Sequence, residues 1–321
     1  LLVALVGILM VVGVGGWLVF GRQGKTQPQK IQEVAKTEKL LVTVELALTN
    51  LEPLAKGHFE AWLTKGGKRQ SLGLFNVNKD ERLLDLSGRE IAGNRFQLKN
   101  DFGDIEGLEI TIEPDGDRNS APSPTLILKG NFVNSTANLA FEAIDPTDIS
   151  GQYVLATPTN DPVGQEESGV WFFLPPGGND SKMRPSLLLP KAPKGWKYEG
   201  WVVHQGKTLS TGRFSEVSGP DQSAAYSGRL GGPPFPGEDF LTNKPKNLDF
   251  PFPINLADGA SRVIVSIEPD IDDQDPTGGN PFQLQLLSAV IGENVKARQP
   301  LDLILDTATT FPKGTAKILT T

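Results

Sequence analysis

The first twenty residues, LLVALVGILMVVGVGGWLVF (1–20), carry no charged or strongly polar side chain. As a helix, 20 residues rise about 30 Å, the thickness of a hydrocarbon core. The run therefore predicts one transmembrane helix over 1–20, in contact with membrane lipid. Trp17 near one end suits the interface, and Arg22 and Lys25 close the run. A cleaved signal peptide is the rival reading, but its apolar core is shorter and no small-residue cleavage site follows. A buried core helix would show a polar face. Residues 21–40 are polar and predict a spacer. From Leu41 the pattern changes to period two. In VTVELALT (42–49), Val42, Val44, Leu46 and Leu48 alternate with Thr43, Glu45, Ala47 and Thr49, as in a strand with one buried face. GLEITIE (107–113) and SRVIVSIE (261–268) repeat the device, and turn signals such as Gly66-Gly67 and PTGGN separate the runs.

The period-two body contains itself twice. FEAWLTKGGKRQSLGLF (59–75) and YEGWVVHQGKTLSTGRF (198–214) share seven of 17 residues without gaps: Glu60/Glu199, Trp62/Trp201, Gly67/Gly206, Lys68/Lys207, Ser71/Ser210, Gly73/Gly212 and Phe75/Phe214. Downstream, TIEPDGDRNSAPSP (111–124) answers SIEPDIDDQDPTGG (266–279). The offset grows from 139 to 155, so the second copy holds 16 extra residues between the blocks. Two blocks in the same order are the signature of duplication. Each first block reads as a hairpin with Gly67 or Gly206 in the turn, where positive φ costs glycine little. YEGWVV carries apolar bulk on both faces, which predicts a central strand. Trp62, Phe75, Trp201 and Phe214 are expected in the repeated core, with Ser71/Ser210 and Gly73/Gly212 leaving room for the neighbouring Trp. The fold expected is all-β: two tandem β-sandwich domains, preceded by the transmembrane helix. The first spans 41–145, a connecting segment covers 146–166, and the second spans 167–321 with a Pro/Phe-rich loop over 219–256.

Composition agrees. Gly 35 and Pro 25 make 60 of 321 residues, against about 12% in average usage, which suits a turn-rich β protein. The formal charge of -7, with no basic run, argues against nucleic acid as a partner. The absence of cysteine removes disulfides, thiol nucleophiles and thiolate metal sites.

The hairpin followed by VSIEPDIDDQDPTGGNPFQLQLL resembles the extracytoplasmic β domain of the anti-sigma-K factor family, which pairs a Y-x-x-W-x-V…G…x-G-x-F hairpin with a later S-x-E-P strand. The second copy, about 168–296, matches better than the first, about 41–135. The resemblance implies an anchored, outward-facing β body of non-enzymatic sensing or interaction type. The positive residues after the span would by themselves place that side in the cytoplasm, so the outward orientation rests on the resemblance. In that family a cytoplasmic domain ahead of the span holds a sigma factor; this sequence starts at the span, so no residue here is assigned to sigma binding. A structural surface protein of pilin-like layout is the alternative, although such pilins usually carry Glu at the fifth position, where this chain has Leu5.

The search for chemistry gives no enzyme. His58 and His204 do not align between copies and read as strand-edge surface residues; no nucleophile elbow, P-loop or zincin motif occurs. Glu60 and Glu199 each lie two residues before a Trp, on the same strand face, one carboxylate per copy. Asp270, Asp272, Asp273 and Asp275 could converge on calcium, as could Asp115, Asp117 and Asn119 at the matching place, but both loops lack the EF-hand glycine and glutamate and also read as solvated acidic turns. No other cofactor is expected. In the insertion, Phe235, Glu238, Asp239 and Phe240 mark the segment most suited to recognition, if it is not packed over a sheet end.

Overall fold

Alternation at period two turns into strand after strand in the computed structural model, which describes residues 42–98, 102–117, 119–145, 147–177, 181–272, 274–305 and 311–319. The expected anchor and spacer, 1–40, lie outside the described residues; among those described no helix is long and apolar enough to cross a membrane. The first strands are β1 (Thr43–Thr49), β2 (His58–Lys65), β3 (Lys68–Val77), β4 (Leu83–Leu84) and β5 (Arg95–Gln97). They are followed by β6 (Gly107–Glu113), β7 (Leu126–Val133), β8 (Thr136–Ala140), β9 (Ser150–Leu155) and β10 (Gly169–Trp171). Next come β11 (Phe173–Leu174), β12 (Arg184–Pro185), β13 (Leu187–Leu188), β14 (Trp196–His204) and β15 (Lys207–Phe214). The last are β16 (Gly237–Asp239), β17 (Arg262–Pro269), β18 (Gln285–Val290), β19 (Leu301–Leu305) and β20 (Lys313–Leu319). The described chain is all-β, with two short 3-10 turns and no α-helix.

Two large antiparallel sheets result. The first runs β4-β3-β2-β6-β7-β8-β20-β1-β5, and the second β15-β14-β17-β18-β19-β9-β10-β16, with β13 paired to β9. Each sheet folds back so that strands near its two ends meet. In the first, Phe75 of β3 packs edge-on against Phe96 of β5, with ring centroids 5.7 Å apart. In the second, β15 approaches β16, and Asp221 bridges them by accepting the Gly237 N–H at 2.8 Å while Gln222 N–H reaches Arg213 O. This closure corrects one expectation. Gly73 and Gly212 do not make room for a Trp: a Cβ on Gly73 would lie 2.9 Å from the Phe96 ring, and one on Gly212 2.5 Å from the Asp221 carboxylate. The small residues admit the far end of the sheet.

The two copies agree down to their irregularities. Pairing of β2 with β3 slips between Ala61 and Trp62, and that of β14 with β15 between Gly200 and Trp201. Pairing of β6 with β7 slips between Ile110 and Thr111, and that of β17 with β18 between Val265 and Ser266. These bulges fall at the sequence offsets 139 and 155 of the repeated blocks, as expected of bulges kept in duplicated units. Both hairpin turns hold positive φ where the sequence predicts it, at Gly67 (75°) and Gly206 (72°). β14 is flanked by β15 and β17 and buried on both faces.

Buried apolar side chains of both sheets form one cluster that includes Phe59, Phe75, Ile110, Tyr198, Phe214 and Val265. The junction between sheets is both aromatic and polar. Trp196 packs against Phe141 at 5.5 Å and Phe282 at 6.2 Å. Gln283 accepts Glu52 N–H at 2.7 Å and donates to Asn50 O. Two strands cross the boundaries expected from sequence. β9, within the expected connector, pairs with β19 and β10 in the second sheet; β20, within the expected second module, lies between β8 and β1 in the first. Tyr153, Val154 and Leu155 of β9 are buried core residues, and β20 fills a gap that would otherwise leave two open edges.

Candidate functional site

Each copy buries a chain of polar groups outside the apolar cluster. In the first, the Trp62 indole N–H donates to Thr111 Oγ1 at 2.9 Å, and Thr111 donates onward to Glu113 Oε1. Glu113 also accepts Ser123 N–H on both oxygens, at 2.9 and 3.1 Å. In the second, Trp201 donates to Ser266 Oγ at 2.9 Å, Ser266 to Glu268 Oε1, and Glu268 Oε1 accepts Phe282 N–H at 2.8 Å. Trp62 and Trp201 are 2% and 3% exposed, yet neither belongs to the apolar cluster that holds Phe75 and Phe214. The tryptophans are buried as expected, but as the head of a hydrogen-bond relay. The unbroken ladders to the next strand explain the arrangement: Trp62 opposes Glu109 and Trp201 opposes Ile264, each two residues before the accepting hydroxyl and so on the same face of the sheet.

A second carboxylate flanks each relay. Glu60 accepts from Ser71 and Glu199 from Ser210, the latter at 2.5 Å. The copies then diverge. Arg213 binds Glu199 through Nε at 2.8 Å, whereas the matching residue of the first copy is Leu74. Burial raises the carboxyls of Glu60 and Glu199 above the usual range, opposed at Glu199 by Ser210 and by the Arg213 cation. Burial pushes Glu268 up to about 8, reinforced by the charge of Glu199, and its Oε2 has no hydrogen-bond partner. Sequence reading found Glu60 and Glu199 but not their neighbours. The signal was present in the repeated I-E-P, whose glutamates are Glu113 and Glu268.

The insertion builds a different feature. Phe235, Glu238, Asp239 and Phe240 are all buried, at 7% or less, because the segment adds β16 to the edge of the second sheet; they do not form the exposed recognition segment expected, although Phe235 also borders a cleft. Phe235 joins Trp171 and Phe173, and Phe240 meets Tyr226 and Phe252. Asp239 Oδ1 accepts the Trp171 indole at 2.6 Å, and its Oδ2 accepts Thr159 N–H at 2.8 Å. Glu238 accepts Ser227 Oγ and Tyr226 N–H. Beside them opens a cleft of about 480 Å³ whose lining includes Trp171, Asp221, Ser223, Ser227, Leu230 and Phe235. Gly237 is needed there, because a Cβ would lie 2.6 Å from the Trp171 ring. Asp221 accepts Gly237 and Ser223 N–H groups, and burial, joined by the charges of Glu238 and Glu199, pushes it up to about 7. Burial likewise raises Glu238 and Asp239. Asp221 carried no sequence signal: Pro220-Asp221 reads as an exposed turn.

The acidic loops meet at the junction of the sheets. Asp115 N–H donates to Gln274 Oε1 at 2.9 Å, and Glu113, Asp117, Asn119, Asp270 and Asp272 line a shared cleft of about 250 Å³. The carboxylates have other commitments. Asp270 pairs with Lys197 at 3.1 Å, and Asp275 accepts Thr277 N–H and Gly279 N–H. Burial disfavours the Asp275 charge, but these bonds and Arg213 hold its carboxyl below the usual range. Among the described residues no three His, Asp or Glu side chains gather as metal ligands; Asp273 lies outside them. The histidines are not surface residues either. His58 and His204 are 7% and 5% exposed, and burial lowers both. His204 is covered by Phe250 of the insertion, ring to ring at 4.7 Å, and its Nδ1 meets Ser261 Oγ at 2.8 Å.

Comparison with family models, curated proteins and solved structures gives no match to this chain.

Proposed function

We propose that the chain is a non-catalytic recognition module. In this reading its body is two tandem copies of one β-sandwich unit, similar to the outer domain of anti-sigma-K factors, and residues 1–20 hold it at the membrane with the β body outside the cell. One observation carries the reading: the polar groups that recur in both copies are bound to one another in a Trp–hydroxyl–carboxylate relay that ties strands together. Groups committed in this way serve the scaffold. The insertion, particular to the second copy, supplies the cleft beside Trp171 and Asp221, and recognition is assigned to it because loops carried on a rigid sheet are where binding surfaces vary.

The test is fractionation combined with protease access. In cells producing the full chain, the protein is expected in the membrane pellet, resistant to alkaline carbonate and released by detergent. Protease added to intact cells should cleave the β body. Recovery in the soluble fraction would overturn the anchor; protection in intact cells and cleavage after lysis would overturn the orientation.

A further inference from the structure

The two sheets follow one plan but differ in where one strand comes from. β9 sits between β19 and β10, antiparallel to both. The equivalent place in the first sheet, between β8 and β1, is held by β20, antiparallel to both. β9 is local to its sheet and anchored by Tyr153, Val154 and Leu155, all 1% exposed or less. β20 comes from far away: Thr49 and Lys313, paired across β1 and β20, are 264 residues apart. Its sequence, KGTAKIL, buries Ala316 fully and leaves Lys313, Thr315 and Lys317 exposed. What holds it is chiefly the ladder, seven paired positions with β1 and five with β8. Such a ladder is the common basis of strand addition.

We propose that the slot between β8 and β1 is a strand-exchange site, through which this chain pairs with a second copy of itself by giving β20 in trans. The slot selects its occupant at two points. Gly314 passes so close to β1 that a Cβ would lie 2.5 Å from Ala47 O, and Ala316 is enclosed without exposure. A second copy offers that same small-residue pattern in the same register. In the exchanged pair every ladder contact is regained, so the balance depends on concentration. A copy in trans competes with an intramolecular effective concentration on the order of mM, which makes exchange a property of crowded or surface-held chains.

The chain has no cysteine, so the test needs no background removal. Ala47 and Thr315 face each other in register and are both exposed. Full-length A47C is mixed at high concentration with full-length, mass-tagged T315C in a thiol redox buffer, and disulfide-linked heterodimer is followed on non-reducing gels. V133C, whose site is 74% exposed on β7, replaces T315C as the collision control. The expected result is heterodimer accumulating at least tenfold faster with T315C than with V133C. The doubly substituted A47C/T315C chain should close within itself and no longer link to either partner. Equal yields with T315C and V133C would overturn the proposal, and so would failure of the double variant to close, because the register would then be wrong.

Discussion

Replacing Arg213 with leucine gives Glu199 the neighbour that Glu60 has in the first copy, where Leu74 stands at the matching position. Glu199 is buried, with its side chain 7% exposed, and Arg213 Nε lies 2.8 Å from Oε2. Leucine removes the cation and leaves the buried Glu199 carboxylate beside Asp275, whose charge already disfavours its ionisation. Removing one partner of a buried pair costs about 3–5 kcal/mol. At about 2–4 °C per kcal/mol for a body of this size, the midpoint of thermal unfolding at pH 7.5 should fall by roughly 6–20 °C. The sign with pH follows from linkage. Burial already raises Glu199, and loss of Arg213 raises it further, so the folded state of R213L binds the proton more tightly than the unfolded chain does. The penalty is therefore full above the folded pKa and shrinks as pH falls towards the unfolded value of 4.5. The first copy is the internal control, since Glu60 coexists with Leu74 at the matching site. E199Q/R213L, which removes the charge as well as its partner, should recover most of the loss. Thermal unfolding followed by near-ultraviolet circular dichroism from pH 5 to 8 decides. A penalty below about 1 kcal/mol at pH 7.5, or one that is equal at pH 5 and pH 8, would refute the assignment of Arg213 as the counter-charge of a buried Glu199.

Trp62→Phe and Trp201→Phe each remove an indole donor from a buried hydroxyl and should each cost about 1–3 kcal/mol in urea unfolding; similar values for the two would support their equivalence. Asp221, with a folded pKa of about 7 against 3.8 for the free group, takes stability away as pH rises from about 4 through 7, so D221N should flatten that part of the melting-temperature profile; an unchanged profile would place the titration elsewhere. Gly237→Ala should cost about 1–3 kcal/mol by overpacking and alter the Trp171 environment, read as a near-ultraviolet band change. Melting in EDTA and in millimolar calcium should give the same midpoint, because Asp270 and Asp275 already have internal partners; a rise with calcium would restore the acidic loops as a metal site.

What the sequence made legible was whatever repeats or alternates locally. Period two located β1, β6 and β17; Gly67 and Gly206 located the hairpin turns; the shared Trp and Ser positions pointed to two sheets with a common plan. Contacts between distant segments were not legible. Gly73 and Gly212 look like spacers for a nearby ring, but their true neighbours, Phe96 and Asp221, lie in segments that differ between copies. Burial of Glu238 and Asp239 was hidden because Pro, Gly and acidic residues together usually mean an exposed loop, and only the donors Ser227, Thr159 and Trp171 make their burial affordable. β20 could not be assigned to the first sheet, because KGTAKIL fits any sheet that lacks a partner.

The placement of β20 also has a consequence for biosynthesis. Residues 43–140 emerge from the ribosome early, yet the sheet they form keeps β8 and β1 unjoined until residues 313–319 arrive. At about 5–20 residues per second, that interval lasts on the order of ten seconds or more. The sheet begun first is finished last, shortly after β19 (Leu301–Leu305) completes the other, so any factor that shields nascent edges has its longest task at β1 and β8.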